Sequence, residues 1–155
     1  MLSLKTLLQL PYGWQTIRQT TVSGGVTIHL QAPRKTGHCP ECMTCSISVH
    51  SQRRRRIQHL PCSGQALWLI FAVRHWYRRN PSCSRKIFAE SLEPFTGPRQ
   101  QASQSLQKLQ HQLGLIAGGE SGRRAATAAG LRTSADTLIR RVITTPETSN
   151  HVLHT

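Results

Sequence analysis

Residues 38–46 read His38-Cys39-Pro40-Glu41-Cys42-Met43-Thr44-Cys45-Ser46, and the Cys39-Pro40-Glu41-Cys42 turn at their centre decides how the first half is read. A Cys-Pro-x-Cys turn aims two thiolates at one point while backbone amides offset their charge, which is how a zinc knuckle is made. A four-ligand site needs a second pair further on. Downstream stands Cys83, within Arg78-Arg79-Asn80-Pro81-Ser82-Cys83-Ser84-Arg85, and Arg78 occupies the position of a pairing Cys. The substitutes for that ligand are Cys45, Cys62, His38, His75 or none. The metal-ligand candidates are thus Cys39, Cys42 and Cys83, and the cofactor expected is Zn²⁺. The alternative is a knuckle that folds poorly or holds metal weakly. Five Cys is an odd number, and with no export signal metal binding is a better reading than a disulfide framework. The expected compartment is the reducing cytoplasm.

Around the knuckle the pattern is β-like. Val26, Ile28, Leu30 and Ala32 alternate with polar residues behind the turn Ser23-Gly24-Gly25. Leu67, Leu69, Phe71 and Val73 share one face of a later strand, and Trp68, Ile70 and Ala72 share the other. Apolar residues on both faces predict a central strand covered on each side. Ile47 and Val49 suit a shorter strand between the knuckle and Arg53-Arg54-Arg55-Arg56. These four adjacent cations repel one another unless a polyanion neutralises them, so phosphate contact is expected. The bland alternative is a solvated loop.

After Phe95-Thr96-Gly97-Pro98 the composition turns to Ala, Leu, Gln and Arg. Leu106, Leu109, Leu113 and Ile116 mark one face of a helix that Gly118-Gly119 ends. Arg123–Ala129 reads as a second helix, closed by Gly130 in a left-handed conformation. A third starts at Thr133 or Ser134, either of which can cap it, with Leu138, Ile139 and Val142 as its buried face. Pro146 stops it, and 146–155 reads as a disordered tail. The second and third helices suit a helix–turn–helix, with Ala126 and Gly130 allowing a close crossing. Arg123, Arg124, Arg132, Thr133, Ser134, Thr137, Arg140 and Arg141 are then DNA contacts, the early ones on the third helix reading base edges and the late ones holding phosphate. An ordinary three-helix bundle with a polar surface is the competing reading. The fold class is α+β: a small β-rich zinc-ribbon-like module (1–95) followed by a three-helix module (99–145).

Composition agrees with both halves. The 155 residues carry 20 Lys+Arg against 6 Asp+Glu, a formal charge of +14 that favours a polyanion as partner. The excess is uneven: 13 cations and 3 acids precede Arg99, and 7 and 3 follow from it onward. One Asp in the whole chain leaves little from which to build a two-Mg²⁺ carboxylate site. No stretch approaches the roughly 20 apolar residues that span a bilayer.

The Cys knuckle, Ser46-x-x-Val49-His50-Ser51, the basic stretch to Leu60-Pro61, Gly64, Val73-Arg74 and Asn80-Pro81-x-Cys83-x-Arg85-Lys86-x-Phe88-x-Glu90 come in a particular order. That order resembles the N-terminal zinc ribbon of ISL-three type insertion-sequence transposases. Residues from about 100 to 145 are similar to the helix–turn–helix that follows it there, down to Thr137-Leu138-x-Arg140. The chain departs from the family at Arg78 (a metal Cys there), Met43 (a Gly), His59 (an Asp) and Cys62 (a Trp). The resemblance implies a double-stranded DNA partner at the terminal repeats of an element, in a bacterial, nucleoid-associated protein. It also implies that the long catalytic domain with its acidic triad is missing here, so no catalytic activity and no catalytic residue are expected. The alternatives are an interaction module that inhibits an intact transposase, and a transposon remnant without a role.

Overall fold

The computed structural model describes residues 3–145. Helix α1 (Leu4–Leu7) leads into β1 (Gln15–Val22) and β2 (Gly25–Gln31). The short strands β3 (Gly37–His38) and β4 (Cys45–Ser46) follow, then the long β5 (Val49–Cys62) and β6 (Gln65–Tyr77), and β7 (Ile87–Ala89). Two helices close the described chain, α2 (Gln104–Ala128) and α3 (Ala135–Thr144). The expected α+β order, sheet first and helices after, is observed. The expected tail at 146–155 lies outside the described residues.

The main sheet runs β1-β2-β6-β5, with β7 also on β6; β2 and β6 are parallel and the other pairs antiparallel. Ser63 (φ 51°) and Gly64 (φ 75°) turn β5 into β6. Both residues are left-handed, as a two-residue hairpin loop matched to strand twist requires. On one face Ile28, Leu30, Ile57, Leu67, Leu69, Phe71 and Val73 build the core, closed by Leu8, Trp14, Leu92 and Phe95. Trp14 meets Phe71 edge-on at 5.0 Å between centroids.

The other face corrects the sequence expectation of a strand covered on both sides. Trp68, Ile70 and Ala72 are only half-buried. The helices dock at the end of β5 instead of across this face. The Gln58 N–H donates to Gln101 O (2.8 Å), the Ser103 N–H donates to Gln58 O (2.9 Å), and Leu60 packs with Ala102, Leu106, Ala126 and Leu131. His59 completes this junction. Its buried ring lies 3.0 Å from Leu8 O through Nε2 and 2.7 Å from Ser103 Oγ through Nδ1. Since Leu8 O can only accept, Nε2 carries the proton. Nδ1 then accepts from Ser103, whose Oγ also caps the Leu106 N–H. Burial holds the His59 pKa below its ordinary value, which suits this neutral tautomer.

The helical half follows its sequence with two shifts. Gly118 (φ 73°) interrupts α2 as expected, but helical structure resumes directly after it. There Glu120 pairs with Arg123 and Arg124 one turn on. Leu106 is buried and Leu109 and Leu113 half-buried, whereas Ile116 is 81% exposed. The inward stripe passes through Gln110, Gly114 and Gly122 instead. A Cβ on Gly114 would stand 2.7 Å from Val142 Cγ2, and one on Gly122 would stand 2.8 Å from Leu138 Cδ1. Absent side chains, not leucines, let α3 approach. On α3 Leu138 is buried, Val142 is half-buried and Ile139 is 42% exposed, so the buried face is narrower than expected. Ser134 is the N-cap, accepting from the Thr137 N–H at 3.1 Å.

Candidate metal centre and basic sheet face

The knuckle is a tight loop between β3 and β4. The Cys39 N–H donates to Thr44 O (3.1 Å) and the Met43 N–H to Cys39 O (2.9 Å). Met43 sits at φ 58°, a left-handed position that favours glycine. The loop rests on a small apolar cluster of Cys39, Trp76 and Phe88, with Cys42 and Cys83 against it. Gly37 admits the Trp76 ring, since a Cβ there would lie 2.6 Å from Trp76 Cδ1. Cys83 arrives on the loop after β6, where the Arg78 N–H donates to Lys86 O (2.9 Å) and the Ser82 N–H to Asn80 Oδ1 (3.0 Å).

These elements bring Cys39, Cys42 and Cys83 together, their sulfurs all within 4.8 Å of one another. Tetrahedral zinc with Zn–S of about 2.3 Å needs sulfurs about 3.8 Å apart, so a modest contraction closes the trio on an ion. The Thr44 hydroxyl, 3.4 Å from Cys42 Sγ, and the Thr44 backbone hold the Cys42 thiol down to about 6. The Arg85 backbone amide favours the Cys83 thiolate, but burial and the Cys42 and Cys39 thiols together push its pKa up. A bound cation would offset that crowding of like charge. The donor set fits Zn²⁺. Among the described residues Cys45, Cys62, His38 and His75 stand outside the trio. Arg78 turns its guanidinium to the Cys83 carbonyl and braces the loop.

Strand alternation divides the Arg53–Arg56 run. Arg53 and Arg55 face the core side opposite Val73 and Phe71, while Arg54 and Arg56 share the open face with Ala72 and Ile70. Arg55 folds inward, its Nη2 donating to Gly97 O (3.0 Å) and Gln100 O (2.9 Å). Arg56 stacks on Trp68, 3.8 Å from the ring centroid. Arg18 on β1 reaches the same face, 3.5 Å from His29 Nε2. Burial first, then the charges of Arg18 and Arg54, lower the pKa of His29. β1, β2, β5 and β6 contain six Arg and no Asp or Glu. Sequence reasoning missed Arg18, His29 and Trp68 as neighbours of the basic run. The period-two pattern of β1 held a signal for Arg18, but no local signal gives the strand order that places it there.

On the helices, Arg123 and Arg124 pair with Glu120, at 2.7 and 3.4 Å, and Arg140 pairs with Asp136. Hydrogen bonds from Arg123 hold the Glu120 carboxyl down to about 2. Arg141 lies along α2, held by Gln110 Oε1 (3.0 Å) and Gln107 Oε1 (3.3 Å). Thr133 accepts from Gln110 Nε2 (3.3 Å), and Ser134 and Thr137 bond to each other at the start of α3. Arg132 reaches back to Ser23 O (3.4 Å). No helix among the described residues is long and apolar enough to cross a membrane.

One knuckle and the loop after β6 together supply three of the four donors of a structural zinc site. Residues 35–80 match the model of a family described as the zinc-finger of transposase IS204/IS1001/IS1096/IS1165. The match takes in the knuckle, β5 and β6, and stops three residues before Cys83. It suggests a DNA-binding role and, with the three close cysteines, is consistent with Zn²⁺ binding. No curated protein and no solved structure matches the chain.

Proposed function

We propose that this chain is a DNA-binding unit of a transposase that recognises the terminal repeats of an insertion sequence and does not itself cut DNA. The observation that carries this reading is the open sheet face, whose strands carry no acid and on which Arg18, Arg54 and Arg56 have no carboxylate partner among the described residues. Unpaired guanidinium groups on one face supply phosphate contacts, which fix register and affinity but not sequence. Sequence choice falls to α2 after Gly118, the Gly130 turn and α3, acting as a helix–turn–helix. Gly130 has the left-handed φ (87°) such a turn uses, Ala126 is buried beneath it, and Thr133, Ser134 and Thr137 open the second helix. The turn lies against Gly64 and Gly24 at one end of the sheet, next to the phosphate-binding half.

The acids support binding without cleavage. Glu41, Glu120 and Asp136 pair with arginines, and Glu90 accepts from the Arg74 N–H at 2.9 Å. In a bacterial cell such a unit resides on the nucleoid and occupies ends that an intact transposase needs. Ile116, Ile139 and Ile143, all exposed, also favour a reading in which it forms mixed complexes with that enzyme. A competition gel shift on candidate terminal repeats tests the main reading. Preferential retention of the repeat is expected, and equal affinity for unrelated duplex contradicts specific recognition.

A further inference from the structure

A tetrahedral zinc site takes four donors, and the trio of Cys39, Cys42 and Cys83 supplies three. Arg78 cannot be the fourth, because a guanidinium keeps its protons and has no lone pair to give. Resting on the zinc reading of the trio, we propose that the fourth ligand is the carboxylate of Glu41, from inside the knuckle itself.

Three observations converge on this residue. Glu41 Oε2 lies 3.6 Å from Cys83 Sγ. With Zn–S of about 2.3 Å and Zn–O of about 2.0–2.2 Å, a sulfur and an oxygen on one tetrahedral zinc stand about 3.5–3.7 Å apart. Glu41 therefore already holds the ligand edge to Cys83, while its carboxylate does not lie within 4.8 Å of all three sulfurs, so a rotation of this half-exposed side chain has to close the remaining edges. Its other oxygen, Oε1, is 3.1 Å from Arg85 Nε. One carboxylate oxygen is thus turned to Cys83 and the other is held by a cation, as a monodentate ligand with an outer-shell partner would be. Charge agrees as well. Three thiolates and a carboxylate on Zn²⁺ sum to −2, and Arg85 on Glu41 together with Arg78 on the Cys83 carbonyl return that to zero. Arg78 in place of a thiolate and Glu41 in place of a bystander are one change seen from two sides.

The test is competitive zinc titration of the full chain against a chromophoric chelator, with visible spectra of the Co²⁺-loaded protein. Glu41→Gln is expected to weaken zinc about 10- to 100-fold and to alter the Co²⁺ bands. Arg78→Cys offers a fourth thiolate. In that background Glu41→Gln is expected to change zinc affinity less than twofold, which separates ligand loss from misfolding. Unchanged affinity and spectrum in Glu41→Gln, where Cys83→Ser abolishes binding, would reduce Glu41 to a surface partner of Arg85 and overturn the proposal alone. A wild-type chain that binds no zinc would overturn the metal centre with it.

Discussion

The sheet and the helices carry cations of two different kinds. On α2 and α3, Arg123, Arg124 and Arg140 have acidic partners one turn away and Arg141 is bound by two glutamines. On the strands no arginine forms an ion pair among the described residues. Paired surface charges attract a distant polyanion weakly, whereas an unpaired set of one sign steers it from a Debye length away. On the proposed DNA-binding reading, the difference gives long-range attraction and most of the phosphate contact to the sheet. The helices keep less free charge, Lys108 and the second of the two arginines that share Glu120, beside the hydroxyls and caps that suit short-range discrimination.

The halves must stay locked for that division to work, and the lock offers the largest expected effect. Gly130 sits at φ 87°, and a Cβ there would stand 2.3 Å from the Gly64 carbonyl oxygen. Gly130→Ala combines a left-handed penalty with overpacking, so a loss of about 2–5 kcal/mol is expected in urea unfolding. A change below ~0.5 kcal/mol would mean the halves are independent.

A smaller effect comes from His59, which joins α1, β5 and α2 while neutral. Its pKa is depressed in the fold, so the unfolded chain binds the proton more readily. Stability is therefore fully present above the ordinary value of 6.5 and declines as pH falls below it towards the folded pKa. Thermal melts from pH 7.5 to 5 should show this decline, and a His59→Gln variant should flatten its share of it.

A smaller effect again is expected from Arg123→Ala, which removes a cation held by Glu120 and leaves that carboxylate to Arg124. DNA affinity should fall by no more than about fivefold, because a cation already held by a carboxylate adds little to the field a polyanion meets. The smallest effect expected is a gain. Met43→Gly relieves a left-handed φ at 58° and should stabilise the knuckle by about 0.5–1 kcal/mol, read from its own unfolding step in the zinc-loaded protein.

Features set by local chemistry were legible in the sequence. The Cys39/Cys42 turn, the Ser134 cap and the left-handed Gly130 each follow from a few neighbouring residues. Features set by tertiary placement were not. Trp68, Ile70 and Ala72 read as a covered face because apolar residues look alike whether a layer or a stacked arginine shields them. Arg55 read as one of four equal cations, although the strand period turns it toward Gly97 and Gln100. Ile116 read as core because leucine spacing continues to it, while glycines decide where α3 touches α2.

The most direct measurement is the salt dependence of duplex DNA binding for the wild type and for Arg54→Ala/Arg56→Ala. Each lost phosphate contact removes about 0.9 from the slope of log K against log salt. The double variant should lose nearly 2 in slope and at least about tenfold in affinity at physiological salt, by the same counterion arithmetic. A wild-type slope near zero, or one that the double variant leaves unchanged, would contradict DNA binding through the open face of the sheet.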